Sequence, residues 1–304
     1  MIEVPEAVPP KQTTLWRDAW YRFRRNWMAM AGLVIVILLV IVALAAPLIA
    51  PYDPINVAAK DMVRLSQLPP SREHLMGTDV LGRDVFSRLV YGSRVSLEIG
   101  ILAVGVELVI GLVFGALAGY FGGALDSFIM RFADVFFAFP YVLGAIALVT
   151  VARADPVLAR LLEGERAVFV AIGILGWPFI ARVFRSSILS VKENDYIDAA
   201  RAVGAGHARI LLRHILPNAS APVIVYGTIS VGGAIITEAA LSFLGIGVQP
   251  PKPAWGYMLA ESRSYIFSAP WLMYWPGLAI LVTVLAFVLL GDGLRDALDP
   301  RLKE

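Results

Sequence analysis

Six apolar runs, each about the length of a bilayer crossing, leave this chain few ways to fold. A helix needs about 20 predominantly apolar residues to traverse the hydrocarbon core. The runs fall at about 27–50, 97–119, 129–151, 167–189, 220–244 and 272–291. The first contains the unbroken stretch AGLVIVILLVIVALAAPLIA and the last contains GLAILVTVLAFVLL. Composition agrees: 58% of the residues are hydrophobic and 16% charged, against about 25% charged in an ordinary soluble domain. The expected fold is an all-α membrane protein with six transmembrane helices. The first run ends near a sequence resembling a signal-cleavage site, ALAAP at 43–47. It is longer than a signal peptide's apolar core of about 7–15 residues, so it reads as a retained span.

Six spans put both termini on one side. Lys11, Arg17, Arg22, Arg24 and Arg25 precede the first span, so both termini are expected in the cytoplasm. The domain plan that follows is a cytoplasmic arm at 1–26, a first span at 27–50 and an external segment at 51–96. A core unit of five spans runs over 97–291, and a cytoplasmic tail over 292–304. Inside the external segment, Leu81, Val85 and Leu89 recur at helical spacing, with Asp84 and Arg88 set to pair on the polar side. That pattern predicts an amphipathic helix on the outer interface. A second external loop, 245–271, is proline-rich and carries Trp255, Tyr257 and Trp271. It reads either as an aromatic anchor at the membrane surface or as a structured loop that meets a partner or shields the pore mouth.

Between spans four and five lies a charged stretch, YIDAARAVGAGHARILLRHILPN, residues 196–218. Asn194 or Asp195 can cap a short alanine-rich helix. Gly204 and Gly206 permit a turn with positive φ, and a second helix follows until Pro217-Asn218. A glycine turn beside an alanine pair makes a smooth surface that another molecule can approach closely. The same loop also reads as an interfacial hairpin presenting arginines to lipid.

Polar residues inside the spans are costly and therefore informative. Glu107 sits near the middle of span two and Glu238 in the outer part of span five. Glu107 reads either as a lining of a translocation path or as a carboxyl hydrogen-bonded between helices; Glu238 reads as structural or gating. Gly111, Gly115 and Gly119 form a doubled GxxxG stripe for close helix packing, and Arg131 and Asp134 are spaced to pair. Pro178 is expected to kink span four.

Several chemistries drop out. With no cysteine, thiolate catalysis and cysteine-ligated metals are excluded, and His74, His207 and His214 form no metal motif. No metal or cofactor is expected on this chain, and a net charge of +2 with scattered basic residues gives no basis for nucleic-acid binding. A phosphate-binding loop would end in Gly-Lys-Ser/Thr, and none of Lys11, Lys60, Lys192, Lys252 and Lys303 follows a glycine.

The Asp198-Ala199-Ala200 triplet, Gly204 and Pro217 together resemble the EAA loop of permease subunits of bacterial ATP-binding-cassette importers, with Asp198 where Glu is usual. The stretches at 77–97, 201–218, 238–259 and 289–302 resemble the dipeptide/oligopeptide/nickel permease family, specifically its C-type subunit. The resemblance spans roughly residues 16–302. It implies that Tyr196, Ile197, Asp198, Ala199, Ala200, Arg201, Gly204, Ala205 and Gly206 dock on an ATPase through a coupling helix. It also implies a homologous B-type permease as heterodimer partner, two cytoplasmic ATP-binding subunits that use ATP and Mg, and an external substrate-binding protein. The expected location is the bacterial plasma (inner) membrane, and the expected cargo is a di- or oligopeptide or a related small solute. Two other classes of membrane protein call for features of a different kind. A secondary transporter or channel without ATPases would call for intramembrane ion ligands; a membrane-bound enzyme would call for a nucleophile–base pair or metal cluster.

Overall fold

The computed structural model describes residues 15–299; the N-terminal part of the arm with Lys11, and the last residues of the tail, lie outside them. The described residues are helical, with one isolated bridge between Thr78 and Asp84. A short helix, α1 (Leu15–Arg25), precedes α2 (Trp27–Leu44), the first long apolar helix. Asn26 separates them by capping α2: its Oδ1 accepts from the N–H groups of Met28 and Ala29 at 3.1 and 3.2 Å. Then come α3 (Val85–Phe121), α4 (Gly123–Phe137), α5 (Tyr141–Ala154) and α6 (Arg166–Lys192). The chain continues through α7 (Asp195–Ala202), α8 (Ala221–Phe243), α9 (Trp255–Ser262) and α10 (Trp271–Leu298).

Five of these helices, α2, α3, α6, α8 and α10, are long and apolar enough to cross a membrane. The expected third span at 129–151 is not one helix. It divides into α4 and α5, which meet at 91° and make the sixth crossing only if counted as one broken span. Pro140 explains the break: it has no N–H to donate, and it drives Phe139 out of the helical region. α6, by contrast, continues through Pro178.

Span two begins three turns earlier than expected. There is no separate interfacial helix around Leu81–Leu89; Asp84 caps α3, accepting from the Ser87 N–H at 2.8 Å, and Val85 starts it. The expected Asp84–Arg88 pair gives way as well. Asp84 contacts His74 Nδ1 at 2.9 Å, and Arg88 reaches Glu261 at 2.6 Å.

The centre of the bundle is the α3–α6 crossing. Between membrane helices there is little hydrophobic driving force, so close van der Waals contact decides which faces meet. The glycine stripe is on that face. A Cβ at Gly111 would stand 2.7 Å from Ile180 Cβ, one at Gly115 2.7 Å from Ala181 O, and one at Gly119 3.0 Å from Ile188 Cβ. α6 returns the favour at Gly173, where a Cβ would stand 2.6 Å from Ala103 O. Around this crossing, Ile99, Val149, Val168, Ile172 and Ile235 join α3, α5, α6 and α8 in one buried cluster.

The long helices define two ends. At one, α1 and the start of α2 pack on the end of α10: a Cβ at Gly293 would be 2.1 Å from Ala29 Cβ, and Arg22 Nη1 donates to Asp299 O at 3.0 Å. Gly291 packs on Ile229 in the first half of α8, the half that continues from the 195–219 hairpin. The other end gathers the start of α3, the end of α8, α9 and the start of α10.

Candidate coupling surface and buried carboxyls

The hairpin rests on one anchoring residue in its first arm. Ile197 is fully buried, and with Ile210 and Ile215 of the second arm it packs against Ile180, Phe184 and Ile188 of α6 and Val223 of α8. With that anchor fixed, Tyr196, Asp198, Ala199, Arg201, Gly204 and Gly206 are left exposed, Ala200 and Ala205 are half-buried, and Val203 stands 85% exposed at the turn. Asp198 and Arg201 pair at 2.8 Å on the outer face.

Local chemistry shapes this surface differently from expectation in three places. The Asn194 side chain does not cap α7; its Nδ2 turns back to Val191 O at 2.9 Å. Only Gly204 takes a positive φ, +83°, while Gly206 sits at −70°. Pro217 does not stop the second arm, which runs on to Ala219. Pro217 has no N–H to give, and the preceding turn is widened so that the Leu216 N–H bonds to Leu211 O, five residues back.

The hairpin is tied to the bundle a second time at Tyr120, on the last turn of α3. Its hydroxyl lies 2.8 Å from His207 Nδ1, and Lys192 Nζ donates to its backbone oxygen at 2.7 Å. The ends of α3 and α6 and the second hairpin arm therefore converge on one tyrosine. Sequence reasoning missed this junction, because its three members are separated by 72 and 87 positions.

Glu107 is 6% exposed. Its carboxyl carbon lies against Gly176, where a Cβ would come within 2.7 Å, and it faces Ser230 of α8. Glu238 is buried at the other end of α8. Ser242 Oγ donates to Glu238 Oε1 at 2.6 Å and accepts from the Val248 N–H at 2.9 Å. The hydroxyl thus bridges the carboxyl to the loop after α8. Gly247 makes room for it: a Cβ there would be 2.1 Å from Ser242 Oγ. Glu238 Oε2 is buried without a hydrogen-bond partner. Near the hairpin end, Asp134 pairs with Arg182 rather than Arg131, and Asp126 accepts from Arg185 Nη2 at 2.6 Å. Arg182 also lies 4.5 Å over the Phe137 ring.

At the far end, four charges from two remote segments form a neutral cluster. Arg83 contacts Asp79 at 2.6 Å and Glu261 at 2.8 Å; Arg88 contacts Glu261 at 2.6 Å and Asp79 at 3.4 Å. Burial pushes the Arg83 pKa down, and the carboxylates of Asp79 and Glu261 more than offset that and raise it. Trp255 locks the same junction. It is buried, its Nε1 donates to Leu89 O at 3.0 Å, and its N–H bonds to Ser96 Oγ. The 245–271 loop is therefore a structured element packed on α3, and Trp255 is not a membrane-surface anchor.

The described residues form a bundle of five or six candidate crossings with a hairpin at one end, and comparison with known proteins gives the class. Residues 111–304 match the family described as the binding-protein-dependent transport system inner membrane component, and residues 14–70 match the N-terminal TM domain of oligopeptide transport permease C. The chain is 41% identical to the dipeptide transport system permease protein DppC of Alkalihalophilus pseudofirmus, covering 100% of this chain and 97% of that protein. It is 47% identical to the glutathione transport system permease protein GsiD of Pectobacterium atrosepticum, covering 95% and 92%. The inward-facing MetNI methionine ABC transporter shares the fold, with a TM-score of 0.59 at 21% identity over 70% of this chain and 97% of that one. The chain belongs to the binding-protein-dependent transport system inner membrane component family. It is a permease subunit of the ATP-binding-cassette importer class, a multi-pass protein of the inner membrane. That settles the choice in favour of an importer permease over a secondary transporter.

Proposed function

We propose that this chain forms half of the path through which an importer carries small peptides, with the 195–219 hairpin as the point where ATPase subunits push. The observation that supports this reading is the hairpin's construction. A small-residue surface of Ala199, Gly204 and Gly206 is exposed, while Ile197 and the Tyr120–His207 contact hold its back rigidly to α3, α6 and α8. Force applied to such a knob moves the helices instead of bending the knob. In this reading the hairpin end faces the cytoplasm, which puts α1 and the end of α10 on the cytoplasmic side. ATP and Mg are bound by two partner subunits and not by this chain, which has no Gly-Lys step. A homologous B-type permease completes the path, and an external binding protein delivers cargo to the end built around Trp255 and the Arg83–Glu261 cluster.

The cargo class follows from the relatives, one of which carries dipeptides and another glutathione by name. Glu107 and Glu238 are assigned to the bundle rather than to the cargo. Glu107 is wedged between α3, α6 and α8, and Glu238 holds the outer end of α8 to its loop through Ser242. The reading is tested in proteoliposomes holding the whole complex. Uptake of a labelled dipeptide or of glutathione should require ATP, the ATPases and the binding protein. Uptake without ATPases would refute it. Glu107→Gln should alter transport rate through helix packing and leave cargo preference unchanged; altered preference would place Glu107 in the path.

A further inference from the structure

α1 carries four arginines in 11 residues, and its two faces have different tasks. Ala19 and Phe23, four residues apart, are buried against Ala297 and Ala29, with Leu294 and Leu298 packed around them. Arg22 is committed to the end of α10 through Asp299 O. The remaining face is exposed: Arg17, Trp20, Tyr21, Arg24 and Arg25, with Trp20 52% and Tyr21 64% accessible. Two of its arginines lie over its aromatic rings, Arg24 at 5.9 Å from the Trp20 centroid and Arg25 at 5.6 Å from that of Tyr21. An aromatic body with a guanidinium laid on it suits the boundary where hydrocarbon meets headgroup.

What meets this face follows from its continuity with α2. One residue past the Asn26 break, Trp27 is 76% exposed, and the exposed surface continues through Met28, Val34, Ile37, Leu38 and Ile41, a helix with only 17% of its most apolar window buried. That surface belongs to lipid. The arginine–aromatic face of α1 therefore sits where the same lipids end. Arginine carries a planar fork of donors that matches phosphate, and it is less tightly hydrated than lysine.

We propose that the exposed face of α1 is a docking surface for anionic phospholipid headgroups, with Arg17, Arg24 and Arg25 on the phosphates and Trp20, Tyr21 and Trp27 at the level of the acyl carbonyls. It holds the first span in place at its hairpin-side end through the Phe23 contact with α10. The test uses the complete transporter in neutral detergent, titrated with phosphatidylglycerol or with phosphatidylcholine, reading bound lipid by native mass spectrometry. Wild type should favour phosphatidylglycerol. The R17Q/R24Q/R25Q variant, which leaves Ala19, Phe23 and Arg22 intact, should lose that preference. The expected loss is roughly fivefold per arginine at low salt, since one basic group at an anionic surface contributes on that scale. The arginine-to-lysine variant should recover part of it. Equal phosphatidylglycerol binding by wild type and the glutamine variant would overturn the proposal. So would displacement of the lipid by millimolar inorganic phosphate, which would mark a phosphate site, or unchanged lipid binding with loss of an ATPase subunit, which would mark a protein interface.

Discussion

Tyr120 joins three elements with one side chain and one carbonyl: α3, on whose last turn it sits, α6 through Lys192, and the hairpin through His207. Removing only the hydroxyl should loosen the hairpin without unfolding the bundle, because a single such bond contributes about 1 kcal/mol. Tyr120→Phe is expected to keep ATP hydrolysis within about twofold while lowering uptake per ATP hydrolysed several-fold. Parallel assays of phosphate release and uptake would show this, and equal losses in both would deny Tyr120 a transmitting role. Gly115 is constrained differently, by a backbone oxygen 2.7 Å from where a methyl would go. Gly115→Ala should destabilise by about 1–3 kcal/mol, the usual scale of overpacking, whereas Gly105→Ala, with nothing within 4 Å, should leave thermal unfolding of the purified complex unchanged. The glycine stripe was legible because its spacing is local. The Tyr120–His207 contact was not, since no periodicity links positions 87 apart.

α3 shows how an element can exceed its hydropathy. At 1.5 Å per residue, its 37 residues reach about 55 Å, well beyond a hydrocarbon core of about 30 Å. Its first turns must stand outside the membrane, where Ser87, Arg88, Ser93 and Ser96 are buried against protein. Hydropathy alone placed the start near 97, because these polar side chains resemble a loop until Glu261 and Trp255 are known to cover them. Pro140 was visible in the sequence, yet its run is apolar on both sides and reads as one span unless the proline's missing donor outweighs hydropathy. The Asp79–Arg83–Arg88–Glu261 cluster fastens α3 to α9. Taking away Glu261 leaves two buried arginines short of a counter-charge, which for fully buried pairs costs about 3–5 kcal/mol; Glu261 is partly solvated, so Glu261→Ala should cost about half of that. The exposed Asp61–Arg64 pair serves as a control, since pairs of that kind contribute about 0–1 kcal/mol. Thermal unfolding of the two variants separates them, and similar losses would mean the cluster contributes little.

At the scale of the whole molecule, the protein is a frame with two ends. One carries the hairpin, α1 and the end of α10; the other carries α9 and the buried charge cluster; α3 runs between them. Its membrane character, five of the six expected spans and the presence of the hairpin follow from hydropathy and turn chemistry alone. The tertiary junctions that make the frame rigid required the fold. The central claim is that the hairpin receives the ATPase stroke, and the absence of cysteine among the described residues and in the whole sequence makes one measurement direct. A single cysteine at the exposed Ala199 would be paired with single cysteines in the facing surface of each ATPase partner, and disulfide formation followed with and without nucleotide. A cross-link whose yield changes with nucleotide is the predicted result. No cross-link in an assembled complex that still transports would contradict the account.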